Sequence, residues 1–161
     1  MEQKTKINAE DNKQDIVISR EFELPLELLF KAFTDPKLIE QWMGTKVLKL
    51  ENKKYGAWQF ETKDGNGKVL FKANGVIHEF VPNQKITRTF EMENAGFGVQ
   101  LEFNEFQKIS DDTSRLNMHV IYETVGQRDQ VLQKGMKQGI NWAHNRLEEV
   151  VVKLITTQAN N

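Results

Sequence analysis

The sequence predicts an α+β protein in which one curved antiparallel sheet of seven strands wraps a long C-terminal helix, with two short helices after the first strand. Three observations carry this expectation. Leu132, Met136, Ile140, Ala143, Leu147, Val150, Val151 and Leu154 recur at spacings of three and four, the apolar stripe of an amphipathic helix. Upstream, several stretches alternate apolar and polar residues and are separated by short turns rich in Gly, Asn and Asp. Strands joined so tightly pair antiparallel, because a parallel crossover needs a dozen or more residues. Between the first strand and the rest lies a segment with helical spacing and two well-placed prolines.

Residues 1–14 are polar and read as a mobile tail without an apolar signal-peptide core. In the first strand Ile16, Ile18 and Phe22 alternate with Val17, Ser19 and Glu21. Pro25 suits the first turn of a helix carrying Leu26, Leu29, Phe30 and Phe33. Asp35-Pro36 restarts the chain as cap and first helical residue, and Met43-Gly44 ends the second short helix. Two helices in tandem raise a DNA-binding reading. The second offers Lys37, Glu40 and Gln41 where a basic reading face is needed, which argues against it.

Val47, Leu48 and Leu50 make a short strand. Trp58 and Phe60 share one face of the next, and Asp64-Gly65-Asn66-Gly67 is a hairpin turn. It is no phosphate loop, since no helix and no Lys-Ser/Thr pair follow. Val69, Phe71 and Ala73 alternate up to Gly75, where the change of parity predicts a bulge. Beyond it, Val76/His78/Phe80 and Ile77/Glu79 are both eligible inner sets. The following strands place Ile86, Arg88, Phe90 and Met92, then Val99, Leu101 and Phe103, then Leu116, Met118, Val120 and Tyr122 on inner faces. A single helix over residues 127–155 would be roughly 43 Å long. One domain is expected over residues 15–155, with 156–161 a C-terminal tail.

The chain has 22 basic and 23 acidic side chains, a net charge of −1, so it lacks the basic excess of a nucleic-acid binder. It has no cysteine, hence no disulfide and no thiolate ligand or nucleophile. No apolar run is long enough to span a bilayer, so no membrane insertion is expected and the cytoplasm is the expected location. His78, His119 and His144 have no ligand-like spacing, and no Ser-His-Asp or paired-carboxylate pattern is visible. No metal, cofactor or catalytic residue is therefore expected. Glu79 reads as a solvated carboxylate in preference to a shifted base.

Aromatic side chains on the inner faces, with Gly135 and Gly139 beside the helix stripe, allow a cavity between helix and sheet. Packed core is the competing reading of each aromatic. Arg88 is the anomaly of its strand, because a buried guanidinium needs an anionic partner or a route to solvent. The candidate ligand-binding residues are Trp42, Trp58, Phe60, Phe71, Arg88, Phe90, Phe103, Tyr122, Met136 and Ile140, with Arg88 addressing any anionic group.

Phe33-Thr34-Asp35-Pro36 through Trp42-Met43-Gly44 resembles the (W/F)TDPxxxxxWxG signature of the SRPBCC (START-like, Bet v 1-like) superfamily. Within it, the chain is similar to the heat-shock protein 90 ATPase activator homologues of the C-terminal-domain type. Gly75-Val76-Ile77-His78-Glu79-Phe80-Val81-Pro82 resembles the family's GxVxExxP stretch, and Gly139-Ile140-Asn141-Trp142 through Leu147 its GWxxxLxxL helix, with Ile140 where the aromatic is usual. The resemblance implies a helix-grip fold with a cavity and a small hydrophobic ligand, lipid-like or aromatic. It implies as an alternative a module that contacts a chaperone, and third a cyclase- or hydrolase-type enzyme. A monomer and a homodimer fit equally.

Overall fold

The computed structural model describes residues 4–159. Eight strands form one open sheet: β1 (Lys6–Asn8), β2 (Asp15–Phe22), β3 (Lys46–Leu50), β4 (Ala57–Lys63), β5 (Val69–Val81), β6 (Lys85–Met92), β7 (Val99–Lys108) and β8 (Ser114–Ile121). Their order across the sheet is β1-β2-β8-β7-β6-β5-β4-β3, and every neighbouring pair is antiparallel. The helices are α1 (Leu26–Thr34), α2 (Pro36–Met43), α3 (Val125–Gln133) and α4 (Met136–Ala159). Curved sheet and C-terminal helix are arranged as expected.

The two short helices meet as their sequence dictates. The Asp35 side chain accepts hydrogen bonds from the Lys37 and Leu38 amides, and Pro36 occupies the first turn. Gly44 ends α2 in the left-handed conformation, at φ 64°. The Trp42 indole reaches back to donate to the Ala32 carbonyl at 2.7 Å, locking α2 against α1.

Four expectations need correction. The eighth strand comes from the supposed tail: β1 lies within residues 1–14 and pairs along β2. Ile7 packs on the cluster of Ile16 and Ile18, but much of the strand's anchor is polar, which hid it. Thr5 is buried, its amide donates to Asn141 Oδ1, and its hydroxyl bonds the His144 ring and accepts from Arg20. The single long helix is two. Gly135, at φ 82°, adopts a conformation that L residues rarely take, and the break falls between α3 and α4. The supposed C-terminal tail is helical as far as Ala159; residues 160 and 161 lie outside the described residues. Finally, the bulge lies between Ile77 and Glu79, beyond the glycine expected to mark it. Ile77 and Phe80 consequently both face the core.

Gly75 serves another purpose. The Trp58 indole lies close against it and donates to the Thr89 carbonyl of β6 at 3.2 Å. A Cβ on residue 75 would lie 1.9 Å from that carbonyl oxygen and 2.5 Å from the indole nitrogen. Neither backbone nor a packed Trp gives way readily. Gly75→Ala is therefore expected to destabilise the protein by about 2 kcal/mol, read as a lowered midpoint in urea.

One half of the space between sheet and helices is filled. Phe22, Leu24, Leu29, Phe30, Phe106, Leu116, Leu147 and Val151 form part of a continuous buried cluster there. Phe30 and Phe106 meet edge to face at 5.0 Å. The other half, beneath the α3–α4 break, is not filled.

Candidate functional site: a cavity beneath the helix break

That unfilled half is a cavity of about 620 Å³. β4 to β8 supply its floor through Phe60, Thr62, Phe71, Arg88, Phe90, Met92, Met118 and Val120. The two short helices and the residues after them contribute Phe33, Ile39, Trp42, Met43 and Thr45. Met136, Ile140 and Ala143 of α4 form its roof, and Lys134, Gly135 and Gly139 its exposed rim. A Cβ on Gly135 or Gly139 would meet nothing within 4 Å. The cavity explains why Phe71, Phe90, Met118, Met136 and Ile140 face inward yet stay only half-buried, while Trp58 and Phe60 are buried. Apolar walls around a few polar groups are the usual make-up of a small-molecule site.

Eight of the ten sequence-selected residues border this space: Trp42, Phe60, Phe71, Arg88, Phe90, Tyr122, Met136 and Ile140. Trp58 lies behind the wall, its ring beneath the Arg88 guanidinium at 4.5 Å. Phe103 is on the opposite face of the sheet. It packs 6.2 Å from the His119 ring and under the Lys85 ammonium. The parity of β7 is the reverse of that expected: Glu102, Asn104 and Phe106 are buried inward, and Val99 is exposed. The apolar set Val99, Leu101 and Phe103 misled because the inner face here is polar. Phe106, in register with Glu102 and Asn104, was the signal for the true parity.

Glu102 supplies the partner that Arg88 requires. The two are cross-strand neighbours, and Arg88 Nε donates to Glu102 Oε1 at 2.8 Å. Gln100 Nε2 donates to the other carboxylate oxygen at 3.0 Å. Arg88, selected from the sequence to address an anionic group, is thus a cation already paired with Glu102 and stacked on Trp58. Tyr122 lies on the same side of the cavity. Burial, aided by the Glu102 carboxylate, pushes its phenol pKa well up, so the hydroxyl stays a proton donor.

Two further buried polar groups lie nearby: Arg20, which sequence reasoning passed over, and His144 beside the apolar stripe of α4. Arg20 of β2 is 2% exposed and donates to Asn145 Oδ1 at 2.6 Å, with Glu148 at 3.6 Å. His144 borders the cavity and abuts this cluster, edge to face with Phe22. Burial, then the nearby Arg20 charge, pushes its imidazole pKa down to about 3. The folded protein thus holds His144 neutral, whereas the unfolded chain protonates it near the ordinary value of 6.5. Its contribution to stability is complete above that pH and is lost as pH falls towards 3. Between pH 7 and 5 the loss should approach about 2 kcal/mol. His144→Gln should lose that much less over the same interval, measured by urea unfolding at both pH values. Parallel losses would contradict the assignment.

The other histidines stand apart. His119 bonds Asp15 at 2.7 Å on the outer face, and His78 packs near the Tyr55 ring. Glu79 is exposed and held by Thr87 and Lys85, which keep its carboxyl below the usual range, so no raised-pKa base is present there. Among the described residues no group of acidic and histidine side chains is placed to hold a metal ion, and no helix is long and apolar enough to cross a membrane.

Fold and site together define a helix-grip protein of the SRPBCC type, a curved sheet and a C-terminal helical segment with an apolar cavity between them. The family model described as "Activator of Hsp90 ATPase homolog 1-like protein" matches residues 23–152, and the chain belongs to that family. Solved structures share the fold at low identity. A Rhodobacter sphaeroides protein superimposes with a TM-score of 0.82 at 19% identity, covering 92% of this chain and 99% of its own. An Arthrobacter aurescens protein gives 0.82 at 13%, covering 92% and 91%. Protein Ms6760 of Mycobacterium smegmatis gives 0.79 at 17%, covering 91% and 95%. Comparison with curated proteins gave no match.

Proposed function

We propose that this protein binds an apolar or amphipathic small molecule, lipid-like or aromatic, in the cavity beneath the α3–α4 break. The observation that carries the reading is a 620 Å³ space with mostly apolar walls. Water in such a space lies against apolar walls, and an apolar guest that displaces it removes that surface from water. Trp42, Phe60, Phe71, Phe90, Met136 and Ile140 supply the apolar contacts, and Arg88 and Tyr122 the polar ones. The ligand enters past Gly135 and Gly139, where no side chain obstructs the rim.

A thermal-shift panel of lipids and aromatic compounds tests this. Ligand present at 100 times its Kd should raise stability by about 2.7 kcal/mol, a shift of roughly 5 to 11 °C for a chain of this length. A melting temperature unmoved by the whole panel would overturn the reading. The family match favours a second reading, a module that contacts a chaperone through its surface. Trp142, 62% exposed on α4, is the natural anchor for such a contact. Capture of a chaperone that Trp142→Ala abolishes, with no ligand found, would favour it instead.

A further inference from the structure

The chemistry of the cavity's polar groups narrows the ligand class, on the reading that the cavity binds a small molecule. Only Nε of Arg88 is engaged, by Glu102; its two terminal nitrogens make no hydrogen bond among the described residues. The guanidinium cannot swing away, being held at Nε by the carboxylate and stacked on Trp58. It presents a fixed pair of donors on an apolar floor. The Tyr122 hydroxyl also makes no hydrogen bond among the described residues. The guest is thus offered donors, while the net charge of the Arg88–Glu102 pair is zero.

We propose that the ligand is an uncharged molecule with a hydrogen-bond-accepting oxygen, such as a ketone, ester or amide carbonyl on an apolar body, and that the inner polar patch disfavours free carboxylates. A carbonyl oxygen accepts from the Arg88 fork or Tyr122 without a charge conflict. A carboxylate in the same place gains Arg88 but lies against the Glu102 carboxylate, itself only 6% exposed, in a setting that screens charges poorly. Lys134 at the exposed rim is the other cation bordering the cavity, and His144 is neutral there. Among the described residues neither makes a hydrogen bond or ion pair with Arg88 or Glu102.

The test compares two probes of equal chain length, methyl decyl ketone and dodecanoate, titrated calorimetrically at neutral pH. The wild-type protein should bind the ketone at least tenfold more tightly. Lys134→Gln should leave that order unchanged, because the selecting charge lies on the floor. Glu102→Gln keeps an oxygen for Arg88 Nε but leaves a net positive charge, and should reverse the order. Dodecanoate binding the wild type as tightly as the ketone would overturn this proposal alone, as would an order that Glu102→Gln leaves intact. Neither probe binding, with the wider panel also silent, would overturn the cavity reading and this proposal with it. The wild-type comparison decides the matter even if Glu102→Gln does not fold.

Discussion

Replacing Glu102 with alanine should lower the unfolding free energy by about 3 kcal/mol, or roughly 6 to 12 °C in melting temperature. The carboxylate itself is worth much less. Its removal strands Arg88, whose side chain is 17% exposed and has no other acidic partner within ion-pair distance among the described residues. An unpaired guanidinium within an apolar enclosure bears the desolvation that the pair had compensated. The cost lies at the low end for a broken buried pair because the cavity admits water to the terminal nitrogens. Arg88→Met combined with Glu102→Met should lose less than Glu102→Ala alone, since no uncompensated charge then remains. Denaturant unfolding of the single and double variants measures both quantities. A double variant worse than the single one would mean that the pair contributes net stability and that the stranded charge is not the dominant effect.

The second large effect is on binding. Gly139 lies at the cavity rim near the start of α4, and a side chain there meets no neighbouring atom. Gly139→Ala should stabilise the helix by up to about 1 kcal/mol and leave ligand affinity within a few-fold of wild type. Gly139→Phe keeps the helical gain but sets a ring across the entrance. It should weaken binding at least tenfold while the melting temperature of the unliganded protein stays at or above the wild-type value. Gained stability with lost affinity cannot come from misfolding, which is the value of the pair. If Gly139→Phe binds as the wild type does, the ligand enters elsewhere.

Much of this architecture was legible in the residues. Pro25, Asp35, Pro36 and Gly44 marked the two short helices because each acts locally, the prolines and Gly44 through backbone geometry and Asp35 through its capping side chain. The inner faces of β2, β4, β6 and β8 followed from simple alternation. The misreadings of β1 and β7 share one physical cause: polar residues taking the places that pattern reasoning assigns to apolar ones. Strand β1 is pinned by Thr5, His144 and Arg20, and Arg20 and Glu102 are inner-face charges. A period-2 rule has no means of distinguishing a buried ion pair from a solvated face, so alternation alone inverts β7 and places Phe103 on the wrong side. The break at Gly135 was hidden for a different reason. The apolar stripe passes through it without a change of spacing, and a glycine in a helical pattern does not announce whether it takes a left-handed φ. The cavity itself is a difference between the room enclosed and the side chains available to fill it, and no single residue encodes that difference.

The most direct measurement is native mass spectrometry of the protein purified from its own host under non-denaturing conditions, with Gly139→Phe prepared in parallel. The account predicts a wild-type species heavier than the chain by one small, constant mass, released on denaturation and strongly depleted in Gly139→Phe. Bare-chain mass for the wild type would contradict it, and an adduct that Gly139→Phe retains in full would contradict entry past Gly139.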